Sequence, residues 1–206
     1  MMKLLLQPRR RPGGFMPALL WIIVAYVVGS MPFGLLLARL FSGFDPRTAG
    51  SGNVGATNVA RTCGKGVGVL TLLCDLCKGL IIVALARWAG LSVWVASLVA
   101  LAAVCGHVFS LFLRFRGGKG VATTVGVMLA LAFWQAAVAG IVCLIVAWRT
   151  GFVSFGSLCM MAVLVVLLLV SLNFSLLPLA LVLAMLILWT HRENVKRLAA
   201  GTEKHW

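Results

Sequence analysis

The sequence predicts an all-α, polytopic membrane protein with seven transmembrane helices, six being the alternative count, and no soluble domain. Of 206 residues, 62% are hydrophobic and only 11% charged, against roughly 25% charged in soluble domains. The mean hydropathy is +1.09, and at ~20 apolar residues per crossing the chain holds material for six or seven helices and little else. Unbroken apolar runs such as residues 160–170 exclude a transmembrane β-barrel, whose strands alternate apolar and polar side chains.

In order along the chain, residues 1–15 form a basic extension holding Lys3, Arg9, Arg10 and Arg11, followed by a single membrane-embedded unit over residues 16–206. The extension is not a cleavable signal peptide, because the apolar run behind it is too long and lacks a small-residue cleavage site. The first span, 16–40, contains Pro32, which removes a helical hydrogen bond and bends the rod. A polar, glycine-rich loop covers residues 42–66. The second span, 67–86, carries Asp75 and Lys78, three apart and so on one helical face. A charge at mid-membrane costs ~2.5–3.5 kcal/mol on insertion scales, so the two are expected to pair as structural residues. The third span, 88–113, has one titratable group, His107, expected to pack or hydrogen-bond rather than react. The short basic loop Arg114-Phe-Arg-Gly-Gly-Lys-Gly120 follows.

Two long uncharged stretches remain, 29 residues from 120 to 148 and 41 residues from 150 to 190. At ~1.5 Å per residue the longer one overshoots a ~30 Å hydrocarbon core twofold, so it contains two spans, broken near Ser171 and Asn173. The shorter is either one tilted helix or two short ones hinged near Phe133, Trp134 and Gln135. With two, the loop at 42–66, the loop at 114–119 and the tail from 191 emerge on one side. With one, the tail lies opposite.

Eighteen Lys and Arg face four acids, for a formal charge of +14. In so apolar a chain this indicates positive-inside loops and an anionic ligand rather than nucleic acid. Twelve of the basic residues, at 39, 47, 61, 65, 114, 116, 119, 149, 192, 196, 197 and 204, sit on or beside those three segments, so placing the segments in the cytoplasm satisfies the rule. The N-terminal cluster runs against it. The six cysteines, at 63, 74, 77, 105, 143 and 159, read as small buried hydrophobes, and Cys74-x-x-Cys77 as neither a metal nor a redox site.

The loop from Asp45 to Lys65 alternates glycines with hydroxyl and amide side chains: Gly50, Ser51, Gly52, Asn53, Thr57 and Asn58, flanked by Arg47, Arg61 and Lys65. Glycines let backbone N–H groups approach an anion, and successive N–H groups form an anion-binding nest, so this loop suits phosphate. It lacks Walker A spacing and implies no nucleotide. Gly117, Gly118, Lys119 and Gly120 stand before an apolar helix, where a helix N-terminus offers a second phosphate site. His191 and Asn194 close the last span on a basic tail.

Taken together, Gly29-Ser-Met-Pro-Phe-Gly34, Gly50-Ser-Gly-Asn-Val-Gly-Ala-Thr-Asn-Val-Ala-Arg61, Gly106-His107, Gly117-Gly-Lys-Gly-Val-Ala-Thr123, His191-Arg-Glu-Asn-Val-Lys-Arg-Leu198 and Gly201-Thr-Glu203 resemble the PlsY family. These are bacterial membrane glycerol-3-phosphate acyltransferases that use acyl phosphate as donor. The likeness runs in order from about residue 26 to 203; the Arg-rich start departs from it. The resemblance implies transfer of a fatty acyl group to the 1-hydroxyl of glycerol 3-phosphate, giving lysophosphatidate and phosphate, with no cofactor. It also implies seven spans in the inner membrane, an active site facing the cytoplasm, and membrane lipid and the soluble enzyme that makes acyl phosphate as partners. By position, Ser51 and Arg61 are the residues most needed for turnover, Lys119 binds phosphate, His191 and Asn194 contact substrate, and Glu193 is structural.

The chemistry suits these residue types. Arg61 can hold phosphate oxygens bidentately and Lys119 adds a compact charge. Positioning of two reactants lowers a barrier by ~7–11 kcal/mol in favourable cases. Ser51 as an acylated nucleophile needs an adjacent base, and only Asp45 is near in sequence, so direct transfer is preferred. An acyltransferase with a His-x-x-x-x-Asp pair is excluded, because Phe112 and Lys196 stand five residues after His107 and His191. An organic-anion or phosphate transporter is the non-enzymatic alternative, supported by Asp75 and Lys78 within a span but lacking the internal repeat of such folds.

Overall fold

A computed structural model describes residues 15–206, and among them the chain is helical with no strand. The cluster Lys3, Arg9, Arg10 and Arg11 lies outside the described residues. Helices α1 (Phe15–Ser30) and α2 (Phe33–Ser42) are two halves of one rod, interrupted at Met31 and Pro32. Such a break frees carbonyls that have no water to turn to inside a bilayer. Both find buried donors: Ser110 Oγ donates to Ser30 O at 2.5 Å, and Lys78 Nζ to Met31 O at 2.9 Å.

A 3-10 turn (Pro46–Thr48) and the short amphipathic helix α3 (Ala56–Cys63) lead to α4 (Lys65–Trp88), α5 (Val93–Val108), a second 3-10 turn (Leu111–Leu113), α6 (Val121–Leu131), α7 (Phe133–Thr150), α8 (Val153–Val170), α9 (Leu177–Thr190) and the polar α10 (Arg192–Ala199). Among the described residues, five segments are long and apolar enough to cross a membrane: Ala18–Ser42, Lys65–Trp88, Val93–Leu113, Phe133–Thr150 and Val153–Val170; α6 and α9 are shorter apolar helices.

The stretch the sequence left open is two helices, hinged at Ala132, whose backbone (φ −148°, ψ 69°) is not helical. The chain reverses there. Lys119, just before α6, bonds Asn194; Glu203 bonds Ser154, at the start of α8; Trp206 bonds Gly151, at the end of α7. The outer ends of α6 and α7 therefore reach the same tail, and the three polar segments share one face of the bundle. The second break lies where expected, between Val170 and Leu177.

Small residues draw the helices together, as they do where packing rather than water drives association. A Cβ on Gly29 would enter the Ala103 carbonyl and one on Gly106 the Tyr26 carbonyl, locking α1 to α5. Gly126 meets the Leu76 carbonyl in the same way and joins α4 to α6. Val104, Val127, Met128, Leu183 and Ile187 fill the centre, all fully buried. The six cysteines are free thiols, but none is fully buried: five are half-buried, Cys143 among them packing against the core, and Cys77 is exposed.

Candidate active site

Asn58 organises the first polar loop. It is buried, and its Nδ2 donates to the carbonyls of Pro46, Ala49 and Asn53 while its Oδ1 accepts from Ser51 N–H at 2.8 Å. Gly50 packs on this amide with φ +65°, where a Cβ would strike Asn58 Oδ1. Asn53 Oδ1 in turn accepts from Gly55 N–H. Both asparagine side chains, expected to meet phosphate, are thus engaged in shaping the loop that presents Ser51, which is exposed together with Gly52.

Asp45 is closed off. Its carboxylate accepts from Arg47 N, Nε and Nη2 and from Arg39 Nη2, and the hydrogen bonds from Arg47 foremost hold it well below the usual carboxylate range. A carboxylate so stabilised is no general base for Ser51.

Arg61, on the last turn of α3, donates through Nη2 to the carbonyls of Lys204 and His205 at 3.1 and 3.0 Å. Among the described residues it has no carboxylate within salt-bridge distance, and Glu203 acts on it only at longer range. In the second loop, the N–H groups of Gly117 and Gly118 donate to the Val108 and His107 carbonyls. Those two glycines are required by packing, since a Cβ at either position would enter His107. The amides from Lys119 to Thr123 find no acceptor among the described residues, so the unpaired N–H groups lie at the start of α6, just beyond Gly120 (φ +88°).

Lys119 Nζ donates to Asn194 Oδ1 at 2.5 Å, and Thr190 Oγ1 donates to the Lys119 carbonyl. Burial pushes the Lys119 ammonium down to about 8, with Glu203 opposing and Arg197 and Arg61 reinforcing the shift. His191 is buried at 2% exposure, and its Nδ1 donates to the Ile187 carbonyl at 2.8 Å. That bond fixes the tautomer and leaves Nε2 as an acceptor. Burial, then the Lys119 charge, lower its pKa to about 4, so the ring is neutral at pH 7.

Glu203, to which sequence reasoning assigns no role beyond its motif, ties the third segment together. Its Oε1 accepts from Asn194 Nδ2 at 2.5 Å and Ser154 Oγ at 2.7 Å, its Oε2 from Arg197 Nε at 2.7 Å, and its side chain is 6% exposed. Glu193, expected to be the structural acid, is instead 58% exposed and pairs with Lys196 at 3.2 Å, an arrangement worth little. Asp75 and Lys78 pair in the interior as expected, and His107 joins them: Lys78 Nζ lies 2.8 Å and His107 Nδ1 3.5 Å from Asp75 Oδ1.

This face, where Arg61, Lys119, His191 and Asn194 surround one acid, can be compared with known proteins. Residues 19–201 match the family model described as glycerol-3-phosphate acyltransferase. The chain belongs to that family. The acyltransferase is 58% identical over 191 residues to a glycerol-3-phosphate acyltransferase of Nitratidesulfovibrio vulgaris, covering 93% of this chain and 58% of that relative, whose length it therefore spans only in part. It is 48% identical to one of Lawsonia intracellularis, covering 91% of this chain and 95% of the relative. A crystal structure of PlsY, an integral membrane glycerol 3-phosphate acyltransferase, in its glycerol 3-phosphate form superposes with a TM-score of 0.87 at 39% identity, covering 92% of this chain and 95% of that one. The lysophosphatidic acid form gives 0.85 at 38% identity, with the same coverage. The acyltransferase is thus an integral membrane enzyme of phospholipid synthesis, and the transporter alternative falls away. Asp75 and Lys78 close on each other, on His107 and on a backbone carbonyl.

Proposed function

We propose that the protein transfers a fatty acyl group from acyl phosphate to the 1-hydroxyl of glycerol 3-phosphate, giving lysophosphatidate and inorganic phosphate, without a cofactor. The observation that carries this reading is the convergence of Arg61, Lys119, Asn194 and a neutral His191 from three distant segments on one face, in a family whose solved relative is described in a glycerol 3-phosphate form. Arg61, Lys119 and the α6 N-terminal amides hold the two phosphate groups, offsetting the repulsion between two anions. Seven crossings of one unit over residues 16–206 and a cytoplasmic site in a bacterial inner membrane fit the basic residues gathered on this face. That face is also where a soluble enzyme would deliver acyl phosphate.

Transfer is direct. The acceptor hydroxyl oxygen attacks the acyl carbon, the carbonyl-to-phosphate C–O bond breaks, and the hydroxyl proton ends on the departing phosphate. His191 Nε2 orients that hydroxyl by accepting its hydrogen bond, while a ring with a pKa of about 4 retains no proton at pH 7. Ser51, with Asp45 sealed by two arginines, contributes through its exposed hydroxyl at the loop tip rather than as an acylated nucleophile. Purified protein with glycerol 3-phosphate and palmitoyl phosphate is expected to release lysophosphatidate, with palmitoyl-CoA inert, and rapid quench without acceptor is expected to leave no acyl group on Ser51. Turnover with palmitoyl-CoA alone overturns the donor; a labelled Ser51 overturns direct transfer.

The alkaline limb of the pH profile follows from Lys119. Its charge is present below about 8 and lost above, so kcat/KM, which reports the free enzyme, falls as pH rises through that value. Lys119→Arg, charged throughout, moves the limb upward. With His191 near 4, no acid limb from this ring appears between about pH 5 and 7. A flat alkaline profile would contradict the assignment.

A further inference from the structure

Asp75 is in contact with the supports of the glycine loop 117–120 on both sides. Before the loop, its Oδ1 lies 3.5 Å from His107 Nδ1. The His107 carbonyl accepts the Gly118 N–H at 3.1 Å, and the His107 ring occupies the space a Cβ on Gly118 would need. After the loop, the Asp75 main-chain carbonyl accepts from Thr123 Oγ1 at 3.1 Å, in the first turn of α6. Lys78 balances the buried carboxylate at 2.8 Å and carries the arrangement to the Pro32 break through Met31 O. Asp75 Oδ1 makes no well-directed hydrogen bond despite these neighbours, so the carboxylate holds the ring by packing. Helix stability alone does not require an ion pair at this depth, where apolar residues of the same volume serve as well or better.

We infer that the Asp75–Lys78–His107 cluster is a positioning device for the phosphate loop, fixing Lys119 and the α6 N-terminal amides against the substrate phosphate through the contact of the His107 ring with Gly118. This rests on the reading that the loop binds phosphate. Small displacements of a positioned group weaken ground-state binding and turnover differently, which makes the role separable from general stability.

The test uses the full-length protein in detergent, with Lys119→Ala as reference, and reads KM for glycerol 3-phosphate, kcat and thermal stability. Gly118→Ala drives a methyl into the His107 ring and is expected to raise KM about tenfold with a smaller change in kcat. His107→Ala, which leaves room for that methyl, is expected to raise KM similarly. The double variant is expected to be no worse than His107→Ala alone, because the clash is gone. His107→Asn, whose amide can stand in for Nδ1 before Asp75, is expected to recover part of the loss. Additive effects in the double variant, or losses confined to stability with KM unchanged, overturn the inference. Should His107→Ala not fold, Gly118→Ala and His107→Asn still decide it by the same KM readout. An unchanged KM in Lys119→Ala points instead to failure of the phosphate-loop reading itself.

Discussion

Arg61→Ala is expected to lower kcat/KM for acyl transfer by about 10²–10³-fold while the protein still inserts and survives detergent extraction. Arg61 is exposed, on the last turn of an amphipathic helix, and contributes nothing to the apolar interior. Its protein partners are two neutral carbonyls, Lys204 O and His205 O, and it forms no salt bridge among the described residues. A guanidinium so placed keeps its charge for a ligand, and its fork grips two phosphate oxygens at once. Arg61→Lys retains the charge but loses the fork, so it is expected to recover only a small part of the activity. Loosening of the tail at Lys204 and His205 is a side effect of both variants, and comparison with a tail variant such as Lys204→Ala, which keeps the carbonyl, separates the two. Near-normal turnover in Arg61→Ala would sink the site assignment.

Much of the fold is legible in hydropathy because a bilayer allows few alternatives to helices. Pro32 marks a real break, and Ser171 and Asn173 lie in the second one. The turn at Ala132 is only half legible: a hinge near Phe133, Trp134 and Gln135 is one of two readings of that stretch, alanine as the best helix former gives no reason to choose it, and contacts of the tail with both helix ends decide the matter. In the site, the clustering of glycines, amides and cations points to three segments that the fold brings to one face, but the division of labour within them depends on folded geometry. Asn58 looks like a phosphate ligand until its amide is seen to bind three loop carbonyls. Gly117 and Gly118 look like part of a helix N-terminal phosphate site until their N–H groups are seen to bond the end of α5. Glu193 and Glu203 are indistinguishable by composition. Only the fold-back of the tail onto Ser154 buries the second.

That burial makes Glu203→Ala the substitution with the largest expected structural effect. The side chain accepts three hydrogen bonds, from Ser154, Asn194 and Arg197, which join α8, α10 and the tail. Removing it leaves three donors unmatched, one of them charged, and hydrogen bonds to charged groups are worth about 1.5–3 kcal/mol each. With Arg197 39% exposed and able to turn to water, the net loss is expected at about 2–4 kcal/mol, seen as a marked drop in Tm in detergent. Activity is expected to fall as well, since Asn194 bridges Glu203 to Lys119, and Glu203 is the one acid opposing the loss of the Lys119 charge. Without it the alkaline limb of kcat/KM moves to lower pH. Glu203→Gln offers one acceptor oxygen to Ser154 and Asn194 but turns an amide donor toward Arg197, so it is expected to keep part of the stability and to show the same shift of the limb. Glu193→Ala, which removes only a surface pair with Lys196, is the control and is expected to change Tm little. If Glu193→Ala were the more damaging of the two, the structural acid would have been misplaced.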